Sequence, residues 1–298
     1  MVEPLVLKIL ITACRKLLAV DPESNWPSYC NRSDSAEHER LKLQHDAIKL
    51  SLGGNFLVPL HQKAKVRNIL DLCHGSGQWV VEMATEFPEA EVVGVDIAEP
   101  QSLNGVPRNA KFLKHDINAR LPFPDQSFDF VQMRVVPSIP DRKFIAQEIS
   151  RILRPGGFVA FLEPAESFSG KTNTRTPALV EAERLMVLSP HMPRARAEGT
   201  DGTSAKSWSI AKDIAPMLRD AVDSEGENLF CAVQSTEIFM PIGAWPKDAL
   251  QKQIGGMIAR VQITLMDAVA AEVRDDDLKI QWPIVYAWGR KVTSSVLP

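Results

Sequence analysis

Short apolar runs alternate with amphipathic segments between residues 68 and 162, and this pattern predicts parallel strands covered by helices. The apolar runs have the length of buried strands, whereas the segments between them place apolar residues at helical spacing. The predicted strands are Asn68–Cys73, Glu91–Asp96, Ala110–His115, Phe128–Met133 and Phe158–Leu162. The predicted helices among them are Gln78–Phe87 and Asp141–Leu153.

Further helical patterns flank this region. A helix is predicted over Ser35–Gly54, with Ser35 as the N-cap and two glycines at its end. After residue 162 the predicted helices are Thr176–Leu188, Trp208–Val222 and Pro246–Val273, and the predicted strands are Leu229–Pro241 and Trp282–Arg290. A closing strand, helix, strand order is typical of an antiparallel edge. The prediction is a doubly wound, seven-stranded, mostly parallel α/β sheet with an antiparallel edge strand.

Composition narrows the class of protein. The chain has 298 residues, a formal net charge of −3 and four cysteines. This charge gives no electrostatic footprint for nucleic acid, and the cysteines have no metal-ligand spacing, so we expect neither a nucleic-acid partner nor a metal. Reduced thiols fit a cytoplasmic location. Residues 1–34 are expected to be a helix and linker, followed by one domain over 35–298 with a cap insertion at about 165–225.

The N-terminal segment is apolar but is interrupted by Lys8, Arg15 and Lys16. It is too short for a membrane span and lacks the layout of a signal peptide. We expect an amphipathic helix that packs on the body, covers a pocket or forms a homodimer contact.

The candidate chemistry begins where the first strand meets its helix, in the sequence DLCHGSGQW. Gly75 and Gly77 allow the backbone to approach a ligand closely because glycine has no side chain. Asp96 ends the second strand, 25 residues after Asp71, where its carboxylate can accept hydrogen bonds from both hydroxyls of a ribose. Asp116 ends the third strand and can bind an adenine amino group. These features together indicate an adenosine-containing ligand.

Glycines that open a helix also occur in NAD enzymes, but the dinucleotide fingerprint needs a third glycine where Val80 stands. The glycine turn, the two acids and the later segments LPFPDQSFDFVQMR and EISRILRPGGFVAFLE, in this order, resemble the class I S-adenosylmethionine (SAM) methyltransferases. The resemblance implies SAM as cofactor, S-adenosylhomocysteine as product and methyl transfer as activity.

The likeness extends on both sides of this region, over roughly Ser35–Val292. SAEHERLKLQHDAIKLSLGGNFLVPL and IQWPIVYAWGRK resemble the fungal TAM-domain methyltransferases, which are similar to trans-aconitate methyltransferase and include a regulator of secondary metabolism. In this group the entry helix closes over the cofactor as a lid, which implies that Arg40, Gln44 and His45 face the site. The implied cofactor-binding residues are Arg40, Gln44, Asp71, Cys73, Gly75, Gly77, Trp79, Asp96, Ile97, Asp116, Ile117, Met133 and Arg134.

The turn departs from the family pattern Gly-x-Gly-x-Gly, because Cys73 takes the place of the first glycine. If that position needs a positive φ, the cysteine is strained there. The neighbouring His74 is interpreted as a turn residue bonded to the backbone rather than as a catalytic group.

Methyl transfer needs a base only for some acceptors, and the candidates are few. Arg134, at the end of the fourth strand, could clamp a carboxylate acceptor or form a salt bridge with a loop acid. Glu163, at the end of the fifth strand, could act as base or orienter, or cap a helix. His191 is the other base candidate. The expected substrate is a small, mostly apolar metabolite methylated at oxygen. The alternatives are a SAM-binding regulator that acts through a protein partner, a SAM-dependent cyclase and an NAD oxidoreductase.

Overall fold

A computed structural model describes residues 35–63, 65–100, 103, 105–136, 139, 141–165, 211–265, 277 and 279–293. The chain divides into two compact units. The first comprises Met1–Ser51, Glu166–Trp208 and Phe239–Pro283, and the second comprises Leu52–Ala165, Ser209–Ile238 and Ile284–Pro298. The predicted N-terminal helix, the helix over 176–188 and most of the proposed cap insertion lie outside the described residues, so the domain boundaries stay predictions.

Seven strands form one sheet. They are β1 (Asn68–Leu72), β2 (Glu91–Asp96), β3 (Ala110–Lys114), β4 (Phe128–Arg134), β5 (Leu153–Pro164), β6 (Phe230–Pro241) and β7 (Gln281–Lys291), in the order β3-β2-β1-β4-β5-β7-β6. The first five strands pair in parallel, and β7 pairs antiparallel with β5. The predicted doubly wound sheet with an antiparallel edge is therefore confirmed.

Each described helix overlaps a predicted one, but the fourth is much shorter than the helix predicted over Trp208–Val222. The described helices are α1 (Ser35–Leu52), α2 (Gln78–Glu86), α3 (Arg142–Ile152), α4 (Ile214–Arg219) and α5 (Ala249–Leu265). Asp141 begins α3, because its side chain accepts a hydrogen bond from the N–H of Phe144 at 2.8 Å. None of the helices in the described ranges is both long and apolar enough to cross a bilayer.

The largest difference from the sequence prediction concerns β5, which starts at Leu153 rather than at Phe158. Leu153 is already paired with Phe128, and the register then shifts so that Phe158 pairs with Phe130. The sequence Arg154-Pro155-Gly156-Gly157 is typical of a turn that ends a helix. Here these four residues lie within β5, where they form an irregularity like a β-bulge.

Asp129 fixes the start of this central region. Its Oδ2 accepts hydrogen bonds from the N–H groups of Arg67 (2.8 Å) and Asn68 (3.1 Å) and from Arg154 Nη1 (2.7 Å). The carboxylate is buried, so these contacts replace its water. They join β1, β4 and β5 at the edge of the sheet where these strands begin, away from the strand ends that carry the candidate chemistry.

Arg151 of α3 holds the loop that leads into β4. Its Nη1 donates to the carbonyl of Phe123 (2.8 Å), and its Nη2 donates to the carbonyl of Leu121 (3.0 Å) and to Glu148 (2.7 Å). Glu148 also accepts the N–H of Leu121 at 2.8 Å. The hydrogen bond from Arg151 is the main reason that the pKa of Glu148 lies below its usual range. One guanidinium thus supports two backbone carbonyls and a buried acid.

We expect Arg151→Leu to lower the free energy of unfolding by about 2–4 kcal/mol, because two carbonyls and the buried Glu148 lose their donor. The matched control is Arg142→Leu on the same helix, which removes an ion pair with the exposed Asp213 and should cost less than about 1 kcal/mol. Urea unfolding of both variants measures the difference. Equal losses would show that the Arg151 contacts are no more than a surface ion pair.

Candidate functional site

The candidate residues lie at the carboxyl ends of neighbouring parallel strands. The strand order reverses between β1 and β4, which pair in parallel with Leu72 in register with Met133. In open α/β sheets this is where ligands bind, because the connections leave in opposite directions and open a crevice. At this edge Asp96 and Arg134 end β2 and β4, and Asp71 is the last residue but one of β1.

The glycine turn that joins β1 to α2 is built from left-handed residues. The φ angles are +64° at Cys73, +54° at Gly75 and +76° at Gly77. A Cβ at Gly77 would lie 2.9 Å from both Leu103 Cδ1 and Phe112 Cε1, so that position also lacks room for a side chain. Cys73 does occupy the conformation that costs a residue other than glycine roughly 1–2 kcal/mol. The strain anticipated from the sequence is present.

Asp96 ties the turn to the second strand. Its Oδ2 accepts the N–H of Gly75 at 2.9 Å, and its Oδ1 accepts the N–H of Ala98 at 3.1 Å. A carboxylate offers about four acceptor positions, so these two bonds leave capacity for ribose hydroxyls. Asp96 therefore both shapes the glycine turn and remains able to bind a ligand, a dual use that spacing alone does not reveal.

Asp71 is the least satisfied group of the site. Its side chain is 1% exposed, and neither carboxylate oxygen has a hydrogen-bond partner among the described residues. Burial raises the pKa of Asp71 to about 7, while the nearby Arg134 acts to lower it and Asp96 to raise it. A buried acid without a donor is costly. The position suits a cationic group with N–H donors, such as the ammonium of an amino acid.

Arg134 lies over the ring of Trp79, with 5.5 Å between the guanidinium carbon and the ring centroid. The buried Gln132 supports both, because its amide oxygen, turned towards them, accepts from Arg134 Nε (3.1 Å) and Trp79 Nε1 (3.3 Å). Trp79 Nε1 also lies 3.0 Å from the carbonyl of Asn55. The Trp79 ring is fully buried, and the guanidinium of Arg134 covers one of its faces. Gln132 was not among the residues expected from the sequence, although a polar residue inside the apolar run FDFVQMR was a usable signal.

Asp116 and Ile117 are expected at the adenine, and Ile97 and Met133 are further expected cofactor-binding residues. Asp116 accepts both the N–H and the side-chain Nδ2 of Asn118, each at 2.9 Å, and so closes a short turn after β3. Ile117 and Met133 are buried in the apolar core beside this edge, and Ile97 is half-buried. These placements are compatible with the expectation for the adenine, which stays a prediction.

His74 and Glu163 both contact backbone. His74 Nδ1 lies 3.1 Å from the carbonyl of Gly75, and its ring packs edge-on against Phe112, as a turn residue would. Glu163 Oε1 accepts the N–H of Val136 at 2.9 Å. Burial raises the pKa of Glu163 to about 8, and the hydrogen bond from Val136 acts in the opposite direction.

The remaining candidate residues belong to other segments of the chain. Within α1, Arg40 donates to Glu37 (2.7 Å) and to Gln44 (2.8 Å), and Arg40, Gln44 and His45 are all buried. Their part in cofactor binding stays a prediction, since α1 belongs to the first unit and the strand ends to the second. His191 lies outside the described residues.

Comparison with known proteins agrees with this geometry. Residues 69–157 match the family model described as a methyltransferase domain, a range that holds the glycine turn, Asp96 and Arg134. Over these residues the match supports the resemblance to the class I SAM-dependent methyltransferases. SAM is the cofactor of this class, and the buried Asp71, the turn with Gly75 and Gly77, and Asp96 fit its ammonium and its ribose. The narrower likeness to TAM-domain enzymes stays a prediction.

Several curated methyltransferases are similar in sequence. Methyltransferase str3 of Strobilurus tenacellus is 34% identical over 42% of this chain and 44% of the relative. N-methyltransferase verN of Clonostachys rogersoniana is 32% identical over 50% of this chain and 55% of the relative. Methyltransferase pytC of Aspergillus terreus is 27% identical over 78% of this chain and 66% of the relative. The chain thus spans about half the length of the first two relatives.

We expect the affinity of this protein for S-adenosylhomocysteine to fall below pH 7, because protonated Asp71 cannot pair with the ligand's ammonium. The association constant should drop by up to about tenfold per pH unit. Asp71→Asn should bind more weakly at pH 8 and lose most of this pH dependence. Calorimetric titration from pH 5.5 to pH 8 measures both proteins. A slope that persists unchanged in the variant would assign the titration to another group.

We also expect Cys73→Gly to raise the free energy of unfolding by about 1 kcal/mol, because glycine adopts φ +64° without strain. Cys73→Ala is the matched control, since alanine keeps the Cβ that causes the strain while removing the thiol. Urea unfolding compares the three proteins. A glycine variant no more stable than the alanine variant would mean that the cysteine conformation is not strained.

Proposed function

We propose that this chain is a SAM-dependent methyltransferase (EC 2.1.1) that methylates a small, mostly apolar metabolite, with oxygen as the acceptor atom. The observation that supports the proposal most strongly is the buried carboxylate of Asp71 beside the glycine turn, because it calls for a cationic ligand group at the point where Asp96 can bind a ribose. Fungal methyltransferases among the relatives support a role in secondary metabolism.

The roles proposed for the chain follow from this arrangement. Asp71 holds the ammonium and Asp96 the ribose hydroxyls, while Gly75 and Gly77 allow close approach of the backbone. Asp116 and Ile117 bind the adenine. When bound, SAM supplies an activated methyl group on a sulfonium sulfur, so the protein's main contribution is to position the acceptor in line with it.

The acceptor decides whether the protein must also move a proton. A hydroxyl acceptor needs a base, for which Glu163 and His191 are the candidates. A carboxylate acceptor is ionised at neutral pH and needs a cation, which Arg134 provides at the end of β4. One relative is named an N-methyltransferase, so nitrogen is the competing acceptor atom. We propose a cytoplasmic enzyme without a nucleic-acid partner, with the N-terminal helix as a dimer contact.

A second function is favoured by one observation. Cys73 has φ +64° in the turn that must contact the cofactor, so part of the turn's geometry is maintained against strain. A cysteine in place of the first glycine of this turn is better tolerated by a protein that binds SAM and acts through a protein partner. An enzyme must also bind SAM and release S-adenosylhomocysteine in every catalytic cycle.

The test is calorimetric titration with S-adenosylhomocysteine, with NAD as the control ligand. We expect binding of the first and none of the second. Asp96→Ala should weaken binding by on the order of 2–3 kcal/mol, because the ribose loses its acceptors and Gly75 loses its anchor. Glu91→Ala is the matched control at the opposite, exposed end of the same strand, and it should leave the affinity unchanged. Unchanged affinity in Asp96→Ala would contradict the assignment.

Incubation with labelled SAM and a panel of hydroxylated, carboxylated and amine metabolites then identifies the reaction. A product heavier by about 14 Da indicates methyl transfer, whereas an isomer of the substrate indicates a cyclase that uses SAM without consuming it. Binding without any product across the panel would favour the regulatory protein.

A further inference from the structure

The end of β4 contains a strained residue directly after Arg134. Val135 has φ +50°, and its N–H donates to the carbonyl of Leu162 at 2.8 Å. A β-branched residue in this left-handed region is a true outlier and costs on the order of 1–3 kcal/mol. Such a conformation persists only where neighbouring contacts hold it, so the turn after Arg134 requires an anchor.

Glu163 supplies that anchor. Its Oε1 accepts the N–H of Val136 at 2.9 Å, which is the peptide that follows the strained residue. Glu163 is 4% exposed and Val136 is 8% exposed, so water does not compete for the bond. Losing it would leave a buried N–H without its acceptor at a cost of about 1–3 kcal/mol. Leu162 and Glu163 thus hold two successive N–H groups of the turn from the end of β5.

The hydrogen bonds of Val135 and Val136 also fix the backbone that directly follows Arg134. Leu162 is in register with Arg134, so the anchored peptides begin at the residue that follows the arginine. The guanidinium lies 5.5 Å from the centroid of the Trp79 ring and close enough to Asp71 to lower its pKa. A change in the backbone at Val135 would therefore alter the point from which Arg134 reaches both groups, in addition to the hold that Gln132 has on its Nε.

We infer that Glu163 is a positioning residue, which fixes Arg134 over Trp79 and beside Asp71 through the backbone of Val135 and Val136. The carboxyl acts as a hydrogen-bond acceptor in this role and takes no proton from the substrate. The relevance of this positioning to catalysis rests on the proposed function, but the arrangement itself can be tested without a ligand.

The indole of Trp79 provides the readout. The chain has six tryptophans, and fluorine NMR of 5-fluorotryptophan-labelled protein separates their signals, with Trp79→Phe assigning the one of interest. Arg134→Met serves as the reference, because it shows how far the fluorine signal of Trp79 shifts when the guanidinium is removed from the ring. We expect Glu163→Leu to produce at least half of that shift, because leucine fills the space but cannot accept the Val136 N–H. Glu163→Gln keeps the acceptor oxygen and should leave the Trp79 signal at the wild-type position.

Glu148→Leu is the matched control. Glu148 is also buried and accepts a backbone N–H, that of Leu121 in the loop between β3 and β4. It should leave the Trp79 signal in place. If Glu163→Leu does not fold, Glu163→Asp tests the same contact with a carboxyl shortened by one methylene. A Trp79 signal that moves in Arg134→Met but not in Glu163→Leu, or in Glu163→Asp where the leucine variant does not fold, overturns the inference. A signal that Arg134→Met fails to move also overturns it.

A double-mutant cycle links the positioning to the ligand. Glu163→Leu should weaken binding of S-adenosylhomocysteine about tenfold in the wild-type background and have little effect in Arg134→Met. Equal losses in both backgrounds would make Glu163 a purely structural residue and overturn the inference. Wild-type protein that binds no S-adenosylhomocysteine would instead remove the proposed function, while the NMR result would still decide the role of Glu163.

Discussion

A carboxylate without a hydrogen-bond donor lies at the centre of this site. Asp71 is buried at the end of β1, where the sheet topology surrounds it with β2 and β4 and leaves no described donor within reach. Desolvation of this kind costs free energy in the absence of ligand, and it is the cost that a bound cation offsets. The position of Arg134 makes physical sense in the same terms, because its charge partly compensates that of Asp71 at a distance.

Two strained residues flank the same edge of the sheet. Cys73 follows β1 and Val135 follows β4, both with positive φ, and each is fixed by backbone hydrogen bonds to a neighbouring strand. The N–H of Cys73 donates to Val95, and that of Val135 donates to Leu162. The chain must leave each strand abruptly so that the strand ends stay open to a ligand, and the sheet supplies the bonds that stabilise these exits.

Much of the fold could be predicted from sequence, because buried parallel strands and amphipathic helices carry distinct periodicities. Asp96 and the glycine turn were identifiable from spacing, since each residue type has a direct chemical use. The sequence predicted strain at Cys73 only if that position has a positive φ. The sign of φ itself was not predictable, because it depends on how the turn packs against β2. The contacts of Glu163 and Val135 were not predictable, since they depend on the register of β4 with β5 rather than on any local pattern.

The protonation of Glu163 has a consequence for the reaction. Burial raises the pKa of Glu163 to about 8, which favours the protonated carboxyl at pH 7, and its Oε1 already accepts the N–H of Val136. A general base must be unprotonated and must reach the substrate, so Glu163 meets these conditions poorly. Either another group, such as His191, removes the proton of a hydroxyl acceptor, or the acceptor arrives already ionised. An ionised carboxylate would find its counter-charge in Arg134, which the Val135 turn directs towards the end of the sheet where the cofactor is expected.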